Sequence, residues 1–215
     1  MTRSHRHQWR RRRGYHHGNL REVLIEAARQ LIEQRGPEGF SLTEAARLAG
    51  VSPAAPYRHF KDREALLSEV ARSGFERLAA RLDAAWDDGR PTPIAAFEAL
   101  GRAYLAFARE EPASYAAMFE AGLSLDEAPE LRSAADRAFA VLRVACGHLL
   151  EGAPAASRPP GDLMSMHVWA LAHGIATLLS SGRPGRGKVH MSPDEVLEAG
   201  LLIYLKGLGI IPAGA

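Results

Sequence analysis

Five side chains between residues 57 and 63 combine hydrogen-bonding and cationic chemistry: Tyr57, Arg58, His59, Lys61 and Arg63. A phenol, a guanidinium and an imidazole can each bond a phosphate oxygen, and an arginine can also bond a guanine edge through two parallel hydrogen bonds. Lys61 and Arg63 stand at the start of a predicted helix, where the helix dipole and the free N–H groups favour an anion. The pattern therefore indicates a surface that binds nucleic acid.

A second interpretation of the same stretch is that its aromatic residues belong to the core and its charges form a solvated face. We expect a core position for Phe60. For Tyr57 both interpretations stay open, with DNA contact favoured. The small residues at 53–55 keep this surface slim, and they can meet only apolar features such as a thymine methyl group.

The elements that position these side chains are short helices separated by a tight turn. Ser41 and Glu44 form a Ser-x-x-Glu capping box at the start of a second helix, and Gly50 supplies the turn after it. Ser52 is expected to cap a third helix that ends near Phe60. The two prolines of that helix fall in its first turn, where a missing N–H costs little. Such a pair of helices is typical of a helix-turn-helix unit.

Helical periodicity extends along the rest of the chain, with no convincing period-two strand. The first helix is expected to begin near Asn19 and to stop at Gly36, and a long fourth helix to run from Asp62 to about Asp88. The remaining predicted helices cover residues 93–111, a short segment after 112, 129–151, about 162–181 and 193–208. The expected fold class is therefore all-α.

Charge divides the 215-residue chain into two parts. Residues 1–77 hold 15 Lys and Arg against 9 Asp and Glu, whereas residues 78–215 hold 12 against 16. Only the first third is expected to meet a polyanion. Residues 1–13 read as a basic arm, disordered in solution and able to track phosphates beside a DNA-binding unit.

Other classes of protein find little support in the residues. The single cysteine, Cys146, excludes an intramolecular disulfide and fits a cytoplasmic protein. No apolar run approaches the roughly 20 residues that span a bilayer. We find no phosphate-binding glycine loop, no nucleophile signature and no metal-ligand spacing, so we expect no enzyme, no metal and no cofactor.

The segment from Gly14 to Leu67 closely resembles the DNA-binding region of TetR-family transcriptional regulators. The resemblance rests on YHHGNLREVLIEAARQLIEQRG and FSLTEAARLAGVSPAAPYRHFKDREALL. Within them lie the Ser41-capped helix, a Gly-Val-Ser turn and a Tyr-x-x-Phe pair. Arg63 stands where the family commonly has lysine, and Ala55 where glycine is frequent.

This resemblance implies a homodimer that binds a (pseudo)palindromic operator, with a ligand in the C-terminal domain altering the separation of the two recognition helices. It implies a helix-turn-helix domain at residues 14–67, joined by a long helix to a helical effector-binding and dimerisation domain at 68–215. The expected DNA-binding residues are Ser41, Thr43, Ser52, Pro53, Ala54, Ala55, Tyr57, Arg58, His59, Lys61 and Arg63.

In the C-terminal half, residues 167–174 resemble the Trp-x-x-x-His-Gly signature of one C-terminal subfamily of these regulators. Trp169 and His173 share a helix face. His173 is either a ligand contact or a structurally satisfied buried histidine, and we favour the second. The candidate ligand pocket is built from Trp86, Phe97, Tyr104, Phe107, Tyr115, Met118, Phe119, Phe139, Trp169 and His173.

Helices 162–181 and 193–208 are the expected dimer-forming pair, because the first is apolar on two sides. The candidate interface residues are Leu171, Gly174, Leu178, Leu197, Gly200, Leu201, Tyr204 and Leu208. The sequence thus predicts a homodimeric, cytoplasmic repressor released from operator DNA by a small, hydrophobic effector. The alternatives are a DNA-binding regulator without a functional ligand site or a helical protein-interaction adaptor.

Overall fold

The computed structural model describes residues 20–179 and 191–212, so the basic arm at 1–13 lies outside the described residues. Within those ranges the chain forms α-helices and no β-strand, which confirms the all-α fold class. No helix in this part of the chain is long and apolar enough to cross a bilayer. The α-helices are α1 (Leu20–Arg35), α2 (Leu42–Leu48), α3 (Arg63–Trp86), α4 (Pro93–Glu110), α5 (Pro112–Phe119), α6 (Pro129–Glu151), α7 (Gly161–Leu179) and α8 (Pro193–Gly207).

The start of α2 has the capping box that its sequence predicts. The Ser41 hydroxyl accepts a hydrogen bond from the backbone N of Glu44 at 3.2 Å, and the Glu44 carboxylate accepts one from the backbone N of Ser41 at 3.0 Å. Gly50 follows α2 with a φ of +73°, a left-handed conformation that favours glycine. Capping and turn chemistry therefore fix where α2 begins and ends.

The expected α-helix from Ser52 to near Phe60 is wrong. Only Pro56–Arg58 is helical, as a single 3₁₀ turn that no side chain caps. An α-helix here would need the N–H of Pro56 to bond the carbonyl of Ser52, and proline has no N–H. That carbonyl instead accepts from the backbone N of Ala55, three residues on, at 3.0 Å. The recognition segment is thus a tight 3₁₀ turn.

Helix α3 joins the two halves of the molecule. Asp62 caps it by accepting a hydrogen bond from the backbone N of Ala65 at 2.8 Å. Its 24 residues span about 36 Å. It packs against α1 in the first half and against α4, α5 and α6 in the second, so one hydrophobic core runs through both. The domain boundary expected after Leu67 lies inside this continuous helix.

Helix α5 lies close to α3 and also packs against α1. A Cβ on Gly74 of α3 would lie 2.6 Å from the sulfur of Met118 on α5, so a larger residue there would displace the Met118 side chain. The short α5 therefore touches the DNA-binding unit on one side and the C-terminal bundle on the other.

Candidate DNA-binding surface and effector cavity

The 3₁₀ turn presents its polar side chains to solvent. Tyr57 is 60% exposed, and Arg58 and His59 on the same turn are exposed as well. Pro56 and Phe60 are buried and hold the turn against the rest of the unit, which confirms the core position expected for Phe60. The interpretation of Tyr57 as a core aromatic does not hold. Its phenol is free to meet a ligand as large as a DNA duplex.

Of the other residues predicted to bind DNA, some are exposed and others are partly buried or already hydrogen-bonded within the protein. Ser52, Pro53 and Ala54 are exposed in the turn before the 3₁₀ segment, while Ala55 is half-buried. Thr43 on α2 is exposed too. The Ser41 hydroxyl is hydrogen-bonded in the capping box described above, so it could bind a phosphate only while keeping or giving up those bonds.

The two cations at the start of α3 differ in their surroundings. The side chain of Lys61 is 83% exposed. The Arg63 guanidinium donates to the carbonyl oxygen of Pro37 at 3.1 Å and lies 5.3 Å from the centre of the Phe40 ring. Arg63 therefore braces the segment between α1 and α2, and Lys61 is the freer of the two for phosphate binding.

A cavity of about 490 Å³ lies inside the C-terminal bundle, between α3, α4, α5, α6, α7 and α8. Six of the ten predicted pocket residues line it: Phe97, Tyr104, Met118, Phe119, Phe139 and Trp169. Much of the remaining wall is aliphatic, and the sequence analysis missed it: Leu78, Leu82, Leu100, Leu142, Val168, Leu197 and Leu201. Leucine at helical spacing signals a buried face without telling a packed core from a cavity wall.

Two of the predicted pocket residues belong to the packed core instead. Phe107 is fully buried, with the Arg81 guanidinium 5.7 Å from its ring centre. Trp86 is 3% exposed and its ring meets that of His148 edge-on at 5.5 Å. Both lie away from the cavity wall. The sequence does not separate the two cases, since a large aromatic ring on a buried helix face can pack between helices or border a cavity.

The last two predicted pocket residues form a polar network beside the cavity. Nδ1 of His173 lies 2.8 Å from the hydroxyl of Tyr104 and 2.9 Å from that of Tyr115. The Tyr115 hydroxyl also lies 3.1 Å from the hydroxyl of Thr177. Burial lowers the pKa of His173, partly offset by Glu120, and it raises the pKa of Tyr104. Both shifts favour neutral groups, and the contacts of Nδ1 are those expected of a structurally satisfied histidine.

The lowered pKa of His173 makes a pH dependence of stability expected. At pH values between the pKa of His173 in the folded chain and its value of about 6.5 in the unfolded chain, the unfolded chain binds a proton that the folded chain does not bind. The free energy of unfolding should therefore decrease as pH falls below about 6.5. In urea denaturation, His173→Gln should show a flatter decrease than the wild type. A variant at the exposed His59 should keep the wild-type profile, and equal slopes for all three proteins would contradict this assignment.

Several residues expected at a dimer interface instead make contacts inside a single protomer. Leu197 and Leu201 are 1% and 3% exposed and line the cavity. A Cβ on Gly200 would lie 2.9 Å from a methyl carbon of Leu171, so this glycine brings α8 close to α7 of the same chain. The Tyr204 hydroxyl lies 3.2 Å from Nδ1 of His167. Leu208 is half-buried. The expected α8 face is thus mostly internal to the protomer. The sequence could not show this, because a period of 3.6 residues identifies a buried face and not the neighbour that it packs against.

A different face of the same two helices is apolar and open. On α7, Leu178 is 43% exposed and a Cβ on Gly174 would meet no atom within 4 Å. On α8, Leu202 and Ile203 are 44% and 73% exposed, and Ala199 is exposed beside them. We call these five residues the outer α7–α8 face. A surface of this kind on a soluble protein often marks an interaction site.

Comparison with protein families gives two matches along the chain. Residues 24–70 match the family of bacterial regulatory proteins called the tetR family, and residues 97–203 match a tetracyclin repressor-like C-terminal domain. The first match covers α2, the 3₁₀ turn and the start of α3, and the second covers most of the cavity-bearing bundle.

Individual relatives agree with the family matches. The chain is 27% identical over 100 residues to the uncharacterized HTH-type transcriptional regulator YobS of Bacillus subtilis, covering 46% of this chain and 51% of YobS. It is 42% identical over 50 residues to the regulator AcrR of Shigella flexneri, covering 23% of each. The chain thus spans about half or less of the length of these curated relatives.

Solved structures extend the likeness over nearly the whole chain. A protein of unknown function from Rhodococcus sp. RHA1 superimposes with a TM-score of 0.76 at 34% identity, covering 92% of this chain and 99% of that one. The TetR family transcriptional regulator PfmR from Thermus thermophilus superimposes with a TM-score of 0.66 at 23% identity, covering 86% of this chain and 98% of PfmR.

Proposed function

Because this chain belongs to the TetR family of DNA-binding transcriptional regulators, we propose that it is a homodimeric repressor that a small hydrophobic effector releases from a palindromic operator. One observation supports this proposal best. The same chain carries an exposed Tyr57-Arg58-His59 turn at one end and a 490 Å³ apolar cavity at the other, within one continuous core. Because regulators of this family act on DNA, we propose that this protein acts in the cytoplasm, where the DNA is.

The DNA complex that we propose follows from the shape of the exposed turn. The 3₁₀ turn enters the major groove, where Arg58 can bond a guanine edge and Tyr57 and Lys61 bond phosphates. The small side chains at Pro53 and Ala54 allow this close approach. Since only Arg58 is well suited to bidentate base recognition, much of the affinity should come from phosphates, and part of the specificity from half-site spacing and DNA shape.

The dimer that we propose forms through the outer α7–α8 face. Exposed Leu178, Leu202 and Ile203 offer apolar area, and Gly174 and Ala199 allow helix backbones to approach closely. Two copies of α7 and α8 would then form a four-helix interface in which the same patch of each subunit meets its counterpart. The Trp-x-x-x-His-Gly subfamily is part of the same proposal. It is supported by Trp169 in the cavity wall, His173 in the polar network and Gly174 on this face.

The coupling between cavity and DNA surface can run through α5. Met118 and Phe119 of α5 line the cavity, while Tyr115 of the same helix bonds the His173 network. Helix α5 also packs against α1 of the DNA-binding unit. An effector that displaces Phe119 or Met118 would move α5 against α1 and change the separation of the two DNA-reading turns. A repressor needs only such a difference in affinity between two conformations.

The operator model can be tested on the DNA upstream of the chain's own coding sequence. Footprinting should show one protected segment containing two half-sites separated by about one helical turn, or 10 to 10.5 base pairs. Inserting five base pairs between the half-sites should abolish tight binding, because the second half-site then faces the opposite side of the duplex. Inserting ten should also weaken binding strongly, because the second half-site then lies about 34 Å too far along the duplex. Equal affinity for all three fragments would contradict a dimer on a palindrome.

A further inference from the structure

We propose that the cavity selects a chiefly apolar, uncharged effector and that it rejects carboxylates and other anions. This inference rests on the proposed function, since it names the chemical class of the effector for the same cavity. The charge of the wall, the saturation of its polar groups and its size each support it.

The described part of the wall offers an anion no cationic partner. Among its lining residues there is no lysine, arginine or histidine, and the one charged side chain is that of Asp136. Asp136 on α6, Leu125 before α6 and Met166 on α7 are all exposed, so these three residues form the rim. An anion drawn into such a chamber loses its hydration and gains no compensating charge, which is unfavourable.

The inner polar group of the wall already has a hydrogen-bond partner. Tyr104 is 5% exposed, and its hydroxyl lies within hydrogen-bonding distance of Nδ1 of His173. Across residues 20–179 and 191–212, no buried side-chain nitrogen or oxygen lacks a partner. A carboxylate at the inner end would compete with His173 for the Tyr104 hydroxyl. Recognition must come from shape and apolar contact.

The size of the chamber fits a molecule of two or three aromatic rings or a comparable aliphatic body. Its volume of about 490 Å³ lies in the usual range for small-molecule sites. Aromatic side chains border it on several sides, with the ring centres of Phe119 and Trp169 6.3 Å apart and those of Phe139 and Trp169 6.0 Å apart. These edges and faces favour an aromatic guest.

Two dyes that differ by one charge test the proposal directly. N-phenyl-1-naphthylamine is neutral, and 8-anilinonaphthalene-1-sulfonate has the same ring skeleton with one added sulfonate. In a fluorescence titration of the full chain, the neutral dye should saturate at one molecule per protomer. The sulfonate should bind at least about tenfold more weakly at the same site. Asp136→Asn should narrow this difference about threefold, because it removes the negative charge at the rim.

Variants on one helix locate the binding. Ala138→Phe places a ring in the cavity wall, where Ala138 is 4% exposed, and should reduce binding of the neutral dye at least tenfold. Ala140→Phe adds the same ring two residues along α6 on the exposed side and should leave binding unchanged. If Ala138→Phe does not fold, as judged by circular dichroism, Ala135→Phe at a half-buried position of the wall replaces it.

The outcomes separate this inference from the proposed function. Equal or tighter binding of the sulfonate, at a site that Ala138→Phe blocks, would overturn the charge preference and leave the repressor model standing. Neutral-dye binding that neither wall variant affects, or no binding, would overturn the cavity as the site. A tenfold preference for the neutral dye in a protein that binds no DNA would support the inference while refuting the proposed function.

Discussion

Tyr57→Ala is expected to abolish specific operator binding while leaving the melting temperature nearly unchanged. With 60% of its surface exposed, the side chain contributes little to the core, and exposed substitutions usually change stability by no more than about 0.5 kcal/mol. A hydrogen bond to a charged phosphate contributes about 1.5 to 3 kcal/mol. A dimer loses two, or about 3 to 6 kcal/mol, which corresponds to a loss of affinity of about 10² to 10⁴.

Fluorescence anisotropy with a labelled operator measures this loss, and thermal unfolding followed by circular dichroism measures stability. Tyr57→Phe separates the hydroxyl from the ring: it should lose most of the affinity if the phosphate bond dominates. Phe60→Ala serves as the matched core variant, because Phe60 is 3% exposed and its loss should cost about 3 to 5 kcal/mol of stability. A large drop in melting temperature for Tyr57→Ala with operator binding retained would contradict our assignment.

Ile203→Asp is expected to convert the dimer to a monomer and to weaken operator binding by at least about 100-fold. Ile203 is 73% exposed and central to the outer α7–α8 face, so the change costs the isolated protomer little. In a dimer it would bury two like charges against each other without partners, at a cost of several kcal/mol. A monomer then binds one half-site and loses the gain from bivalent attachment.

Sedimentation equilibrium reads the oligomeric state, with a protomer mass of 23.3 kDa. Val144→Asp is the control, because Val144 is a 51% exposed apolar residue on α6 outside the proposed interface. It should remain dimeric and bind the operator as the wild type does. An Ile203→Asp protein that sediments as a dimer would show that the subunits meet elsewhere.

Much of the fold follows from local chemistry that the sequence displays. The capping box at Ser41, the Asp62 cap and the prolines that open α4, α5, α6 and α8 act within one helical turn, so the bounds of these helices were predictable to within a few residues. The 3₁₀ turn was missed for an equally local reason. Pro56 stands in the first turn of the expected helix, where it removes the hydrogen bond that its own N–H would otherwise give to the carbonyl of Ser52.

Tertiary neighbours were the part that the sequence did not specify. Periodicity identified buried faces on α4, α7 and α8 without saying whether each meets a core, a cavity or a second subunit. Leu197 and Leu201 therefore read as interface residues although they border the cavity, and Phe107 read as a pocket residue although it is packed. Arg63 illustrates the same limit for charges, since its hydrogen bond to Pro37 spans 26 residues. Such contacts depend on the packed arrangement of helices.

The salt dependence of operator binding tests the central claim, which is that the protein binds DNA as a dimer through the surface around Tyr57 and Lys61. With Lys61 bonding one phosphate on each protomer, a dimer neutralises at least two phosphates, so affinity should fall at least about tenfold between roughly 50 and 200 mM salt. Lys61→Gln should reduce the slope of log K against log salt by about two, one phosphate for each subunit. Arg109→Gln in the C-terminal bundle should leave it unchanged. A wild-type affinity that does not depend on salt, or a slope that Lys61→Gln does not alter, would contradict the account.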